Sequence, residues 1–102
     1  MADWSYDFDW DSAKAGSNIK KHRVSFEQAA TVFQDALALT VYDDQHSQYE
    51  ERWFTIGHSL DGALLAVSHT FVTTSPINVR IRIISARAAT KQERRFYADE
   101  PR

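Results

Sequence analysis

An Asp-Gly pair, Asp61 and Gly62, is the feature that most restricts the fold of this chain. It separates two segments, 52–59 and 63–72, that are rich in apolar and β-branched residues. Asp-Gly favours a tight turn whose twist matches that of two paired antiparallel strands. The two segments are therefore predicted to be neighbouring strands of an antiparallel sheet.

Other segments supply further strands and helices. Aromatic and acidic residues alternate over 5–11, a pattern typical of a half-buried strand. Helices are predicted from Asp11 or Ser12 to about His22, from Ser25, and over 88–99. Further strands are predicted at 36–42 and 79–85. The order β-α-α-β-β-β-β-α indicates a single α+β domain, with a mostly antiparallel sheet and helices packed on one side.

Composition excludes several classes of function. A chain of 102 residues fits one domain, and its net charge of -2 gives no overall attraction to nucleic acid. The absence of cysteine rules out disulfides and thiol catalysis. The four histidines are scattered, so we expect neither a metal site nor a cofactor. Residues 1–7 are acidic and no apolar run approaches a membrane span, so we expect a soluble, cytoplasmic protein.

Arginines form the clearest candidate site. Arg80 and Arg82 are two residues apart on a predicted strand, so both project from the face opposite the apolar residues. Arg87 follows, and Lys91 and Arg94 occupy turn-related positions of the closing helix. Cations that converge where a strand meets a helix are suited to binding phosphate. A solvated face with surface ion pairs explains the same pattern, and both interpretations stay open.

Two shorter clusters carry titratable groups. His22 can exchange a proton near neutral pH and Lys21 would favour a phosphate beside it, but the pair also suits the negative end of a helix dipole. Glu51 precedes Arg52 at the start of a predicted strand. That carboxylate could be an oriented base or one half of an ordinary edge-strand pair.

Taken in order, these segments resemble the BrnT family, the toxin half of the BrnT–BrnA type II toxin–antitoxin systems. The matching residues are Phe8, Asp9, Trp10, Asp11, Lys14, Asn18, Lys21, His22, Val24, Ser25, Phe26, Ala29, Phe33, Asp35, Glu51, Arg52, Ile56, Gly57, the segment 82–87, Glu93, Arg94 and Tyr97. They cover nearly the whole chain. Two positions differ: Arg23 stands where the family typically has glycine, and Ala63 where an arginine commonly follows the hairpin glycine.

The resemblance implies a RelE-like fold and a small ribonuclease toxin that cleaves RNA and inhibits translation. It also implies a BrnA-like antitoxin with a ribbon-helix-helix part, through which alone the complex would bind operator DNA.

With His22, Glu51 and several arginines in one chain, we expect metal-independent cleavage in which a ribose 2′-OH attacks the adjacent phosphate. The candidate catalytic residues are Lys21, His22, Glu51, Arg82 and Arg87, and the candidate substrate-binding residues are Arg52, Arg80, Lys91 and Arg94. The main alternative is a non-catalytic partner-binding module, or a degenerate toxin that acts mainly in a repressor complex. A sequence-specific DNA binder is a third hypothesis, which no helix-turn-helix pattern supports.

Overall fold

The turn at Asp61 and Gly62 joins two antiparallel strands, as the sequence predicts. Gly62 has a φ of 90°, a conformation that side chains disfavour. The computed structural model describes residues 5–101. Its elements are β1 (Ser5–Asp9), α1 (Ser12–His22), α2 (Phe26–Ala30), β2 (Leu39–Tyr42), β3 (Trp53–His58), β4 (Leu64–Thr73), β5 (Asn78–Ala88) and α3 (Lys91–Asp99).

The five strands form one mixed sheet in the order β1-β5-β4-β3-β2. All neighbouring strands are antiparallel except β1, which runs parallel to β5. No turn joins β1 to β5, so hairpin geometry does not fix their relative direction. The α+β class and the predicted element order are confirmed, with two short 3-10 turns, Thr31–Gln34 and Asp44–His46, in addition.

The larger core lies on the face of the sheet that α1 and α2 cover, here called the inner face. Its buried residues are Val24, Phe26, Ala29, Val32, Leu65, Val67, Val79, Ile81, Ile83 and Ala86. The period-2 alternation of β5 explains this set, because Ile81 and Ile83 are buried while Arg80 and Arg82 are exposed. The predicted division of this strand into an apolar and a basic face is confirmed.

The opposite face, here called the outer face, carries α3 at one end. Ile56, Leu64 and Ala66 form a second small core there with Ala89, and Tyr97 of α3 packs against it. The sequence predicts helices on one side only, and α3 is the exception. Because β4 is apolar on both faces at residues 64–67, it buries Leu64 and Ala66 away from the main core and needs cover on the second side.

Short side chains fix where the first two helices begin. Asp11 accepts hydrogen bonds from the N–H groups of Ala13 and Lys14, and α1 starts beside it as predicted. Ser25 caps α2 by accepting from the N–H of Gln28. The Gln28 side-chain amide donates to Asp61, which ties α2 to the hairpin turn.

The closing helix begins later than the sequence predicts. β5 continues through Ala88, and Thr90 then caps α3 in a full capping box with Glu93. None of the helices within residues 5–101 is long and apolar enough to cross a membrane. The first part of the acidic amino-terminal segment, residues 1–4, lies outside the described residues.

The turn between α1 and α2 is left-handed at Arg23, where φ is 60° and ψ is 29°. Arg23 is the only residue other than glycine with a positive φ between residues 5 and 101. Its N–H donates to the carbonyl oxygen of Ile19 at 2.9 Å and so closes the helix. An arginine therefore occupies a backbone position that favours glycine, and the turn is kept.

Candidate functional site

Arg82 and Arg87 lie on the same face of β5, although the interval between them is an odd number of residues. Their partners on β4 are Thr70 and Ala66, which an even interval places on one face. A register shift opposite Ser68 makes this possible, because it inserts one extra residue into β5. Without this β-bulge, Arg82 and Arg87 would project from opposite faces.

Small hydroxyl side chains occupy the outer face between these arginines. Ser68, Thr70 and Ser85 are half-buried, and Ser68 and Ser85 are direct cross-strand partners. We call these three residues the hydroxyl floor. Because Thr70 and Ala66 are four residues apart, the Arg82 and Arg87 backbones are about 14 Å apart along the sheet. The two guanidinium groups can therefore hold phosphates on a common surface.

Arg80 and Arg82 make no ion pair with any residue in the range 5–101. The edge strand places Asp7 and Asp9 in register beside them. Arg82 also attracts Asp11, whose pKa is lowered mainly by the hydrogen bond from the Lys14 N–H and less by the charges of Lys14 and Arg82. We call the part of the outer face that carries Arg80, Arg82 and Arg87 the arginine surface. It is bordered by acids on the side of β1 and open on the other.

Arg87 is held by Glu93 of α3. Its two terminal nitrogens donate to the two carboxylate oxygens at 2.7 and 3.1 Å. The hydrogen bonds from Arg87 lower the pKa of Glu93, and those to Glu93 raise the pKa of Arg87. The Glu93 carboxylate also accepts from the Thr90 N–H at 2.8 Å. Arg87 therefore anchors the first turn of α3, and a phosphate that binds Arg87 would have to share this side chain with Glu93.

Lys21 and His22 lie beside the bulge of β5. They line a pocket of about 250 Å³ together with Lys14, Ile84 and Ser85. Both side chains are exposed in the last turn of α1. The structure therefore brings two of the predicted catalytic residues next to the strand that carries Arg82 and Arg87.

Asn18 fixes the position of α1 beside β5. Its buried amide donates to the carbonyl oxygens of Val24 and Ala86 at 2.9 and 2.8 Å, and its oxygen accepts from the Ala86 N–H at 3.1 Å. Because β1 ends opposite Arg82, Asn18 supplies the hydrogen bonds that a neighbouring strand would give to Ala86. The side chain joins α1 to β5 and has a structural role.

Glu51 and Arg52 lie two strands away from this group. They precede β3, which β4 separates from β5. Two strand spacings amount to about 10 Å, so Glu51 does not meet His22 at one atom of a bound phosphate unless the chain moves. Arg52 is partly held by Glu50, with 3.5 Å between nitrogen and oxygen, and its buried Nε has no hydrogen-bond partner within the described chain.

Lys91 and Arg94 are exposed on α3. The side of this helix that faces the sheet carries Gln92, Glu93 and Phe96. The spacing of 3.6 residues per turn then directs Lys91 and Arg94 away from the outer face. The structure does not bring these two predicted phosphate ligands to the surface of Arg82.

The far end of α3 is held by a second polar cluster, which the residue patterns do not predict. Asp35 accepts hydrogen bonds from the Tyr97 hydroxyl at 2.7 Å and from the His58 N–H at 2.9 Å. Burial opposes ionisation of Asp35, but these hydrogen bonds outweigh it and lower its pKa. Gly57 lies beneath the cluster, where a Cβ would come within 3.2 Å of the Asp35 carboxylate. In the sequence, the only signal for this cluster is that Asp35, Gly57 and Tyr97 belong to the resembled pattern.

The arrangement is suited to binding a phosphodiester. It combines an exposed guanidinium group, Arg82, and one held by Glu93, Arg87, with a lysine and a histidine that can move protons. Within the part of the chain that the structure describes, no group of three or more histidine, aspartate and glutamate side chains could hold a metal ion.

Comparison with known proteins gives a family match and a structural match. The model of the family described as "Ribonuclease toxin, BrnT, of type II toxin-antitoxin system" matches residues 10–93. Among solved structures, the chain is similar to the ribonuclease toxin BrnT of Brucella abortus, with a TM-score of 0.62 and 21% identity over 85% of this chain and 100% of that chain. At this identity the structural likeness establishes the fold. No curated protein sequence matches.

Proposed function

The chain belongs to the BrnT family of ribonuclease toxins of type II toxin–antitoxin systems, and on that premise we propose that it is an endoribonuclease whose active surface is the outer face beside the β5 bulge. The observation that carries the proposal is the placement of Arg82 and Arg87 on one open face, next to the pocket of Lys21 and His22. Cations placed beside the reacting phosphate stabilise the negative charge that develops on a phosphorane.

The proposed reaction is transfer of the phosphodiester to the 2′ oxygen. That oxygen bonds to phosphorus while the bond from phosphorus to the 5′ oxygen breaks. His22 accepts the proton of the 2′-OH, and Lys21 donates a proton to the departing 5′ oxygen. The products are a 2′,3′-cyclic phosphate and a 5′-hydroxyl, and no metal ion takes part. Arg82 and Arg87 neutralise the charge of the transition state.

Glu51 is the second candidate for the base. It would approach the substrate from β3, across the sheet from His22. Arg52 and Arg80 would hold neighbouring phosphates, whereas Lys91 and Arg94 would contact only RNA that extends over the solvent side of α3.

Separate alanine substitutions test the assignment with purified protein and a labelled RNA. His22→Ala and Arg82→Ala should each lower the cleavage rate by about 100-fold or more, which is the usual contribution of a positioned acid, base or cation. Arg95→Ala is the matched control, since Arg95 is exposed on α3 and has no role in the proposal. Wild-type rates in His22→Ala, Glu51→Ala and Arg82→Ala alike would refute the proposed site.

A type II system pairs its toxin with a protein antitoxin. We propose that the partner is a BrnA-like protein with a ribbon-helix-helix part, that the complex binds operator DNA only through this partner, and that the toxin acts on RNA in the cytoplasm. Induced expression should arrest growth, and co-expression of the adjacent gene should relieve the arrest. A chain that is harmless at high expression would favour the alternative, a degenerate toxin that acts mainly in a repressor complex.

The ion pair between Arg87 and Glu93 favours this alternative, because the charge of Arg87 is already neutralised in the free protein. Ala63 points the same way, since it packs against the main core and offers no charge to a phosphate. The growth experiment and the alanine series separate the two functions.

A further inference from the structure

The outer face has an apolar groove of about 430 Å³ between α3 and the sheet. Val41, Phe54 and Ile56 line it from β2 and β3, and Gln92, Glu93 and Phe96 line it from α3. We call it the α3 groove. It exists because α3 is held at its two ends, by Arg87 at Glu93 and by Asp35 at Tyr97, and has no buried residue.

Aromatic surface in this groove is accessible. The Phe96 side chain is 43% exposed, although a phenylalanine on a small domain is usually packed in the core. Phe54 is half-buried on the opposite side of the groove. Gln92 adds an amide that can both donate and accept a hydrogen bond. Two aromatic rings with one amide form a site suited to a flat, polar-edged ring.

The groove continues into the arginine surface. Cross-strand pairing links Val41, Phe54, Ser68 and Ser85 in one row across the outer face. The next row links Ile56 and Ala66 to Arg87. A ring held over Phe54 would therefore have Ser68, and then Ser85, between it and the strand that carries the arginines.

The charges around the α3 groove indicate which kind of molecule it can bind. The arginine surface next to the groove favours an anionic backbone, whereas the groove itself favours an uncharged aromatic group. A single-stranded nucleotide chain has both, with a phosphate and an unstacked base in every unit. A helix of a protein partner would place apolar side chains in the groove but would offer phosphate-like anions only through acidic residues.

From these observations we infer that the α3 groove is a base-binding subsite, in which one nucleobase of single-stranded RNA stacks on Phe96 and Phe54 while its backbone crosses the hydroxyl floor toward Arg82 and Arg87. The inference rests on the proposed ribonuclease function, and it assigns the selection of single-stranded substrate to this groove. A base that is paired in a duplex could not enter it.

Binding measurements test the inference without cleavage. The probes are a fluorescent 2′-O-methyl RNA hexamer, which lacks the attacking hydroxyl, and an abasic oligomer with the same number of phosphates. Phe96→Leu keeps an apolar side chain against the sheet but removes the ring, and it should weaken binding of the base-bearing hexamer about tenfold. The abasic oligomer should bind Phe96→Leu and wild type equally. Phe96→Trp should bind the hexamer at least as tightly as wild type.

Phe71→Leu is the matched control, because Phe71 is 40% exposed and packs on the inner face beside His69. It should bind both probes as wild type does. Equal affinity of wild type and Phe96→Leu for the hexamer, or equal weakening for both probes, would overturn the inference. So would loss of antitoxin binding in Phe96→Leu with RNA binding intact, which would assign the groove to the protein partner. If wild type shows the predicted binding pattern but does not cleave unmodified RNA, the proposed catalysis fails and the subsite stands.

Discussion

Arg87 and Glu93 form two hydrogen bonds that connect the end of β5 to the first turn of α3. The same carboxylate accepts the N–H of Thr90, so one side chain closes the capping box and neutralises an arginine of the candidate site. The position of α3 is therefore coupled through Glu93 to the charge that Arg87 can offer to a ligand.

Glu93→Gln should separate these two effects. Glutamine can still accept from the Thr90 N–H, but it lacks the charge that holds Arg87. Because both side chains are partly exposed, the free energy of unfolding should fall by no more than about 1 kcal/mol. RNA affinity should rise, since Arg87 becomes free to bind phosphate. Denaturant titration and fluorescence anisotropy measure the two quantities, and unchanged or weaker RNA binding would show that Arg87 has only a structural role.

His69 should make stability depend on pH in the weakly acidic range. The side chain is buried, its Nδ1 donates to the Thr70 carbonyl oxygen, and its Nε2 accepts from the Thr55 hydroxyl. Burial lowers the pKa of His69 from 6.5 to about 4. Between these values the unfolded chain binds the proton and the folded chain does not, so stability falls as pH is lowered through this window.

The free energy of unfolding should fall by about 3 kcal/mol between pH 6.5 and pH 4, with no further contribution from His69 below pH 4. The lowered pKa values of Glu93 and Asp35 add losses as the pH falls below their ordinary values of 4.5 and 3.8, because the carboxylates of the unfolded chain then bind protons first. Unfolding in denaturant at several pH values measures the slope. His69→Gln should flatten it, whereas the exposed His22→Gln should not. A wild-type slope in His69→Gln would contradict the assignment.

Gly57 and Gly16 should respond in opposite ways to alanine. A Cβ at Gly57 would come within 3.0 Å of both the Val32 Cγ1 and the Ala38 Cβ, which are packed and cannot withdraw freely. Gly57→Ala should therefore destabilise the protein by about 1 to 3 kcal/mol. Gly16 is in α1, where a Cβ would have no neighbouring atom within 4 Å, so Gly16→Ala should stabilise by about 1 kcal/mol. Thermal unfolding compares the two, and equal shifts would show that space around Gly57 does not limit the side chain.

Arg23→Gly should stabilise the turn between α1 and α2. At a φ of 60° an L residue is strained, and glycine relieves about 1 kcal/mol after allowance for its greater freedom in the unfolded chain. Arg23→Ala should bring no such gain, because alanine keeps the Cβ. A comparison of denaturation midpoints distinguishes strain from loss of the arginine charge. If both variants gain equally, charge repulsion with Lys20 and Lys21 is the better explanation.

Local patterns in the sequence predicted the features that depend on neighbouring residues. The hairpin at Asp61 and Gly62, the cap at Asp11 and the exposed Arg80 and Arg82 each follow from short-range rules of turn, cap and period. Membership of the family came from the ordered set of residues and is confirmed by the family match over 10–93.

The sequence patterns did not predict features that depend on contacts between distant segments. The bulge in β5 depends on how β4 aligns with it, so the common face of Arg82 and Arg87 could not be read from their spacing. The role of Asn18 depends on Ala86, a residue 68 positions away. The outer position of α3 follows from apolar residues on both faces of β4, a pattern that local periodicity interprets only as a buried strand.

The most direct test of the proposed reaction is cleavage of an RNA that carries a single 2′-deoxy substitution at the cut site, with purified wild-type protein and a chelator present. We predict that unmodified RNA is cut to a 2′,3′-cyclic phosphate and a 5′-hydroxyl, and that the substituted RNA is intact at that site because the attacking oxygen is missing. Cleavage of the deoxy-substituted site at the same rate, or loss of all activity with the chelator, would contradict the account.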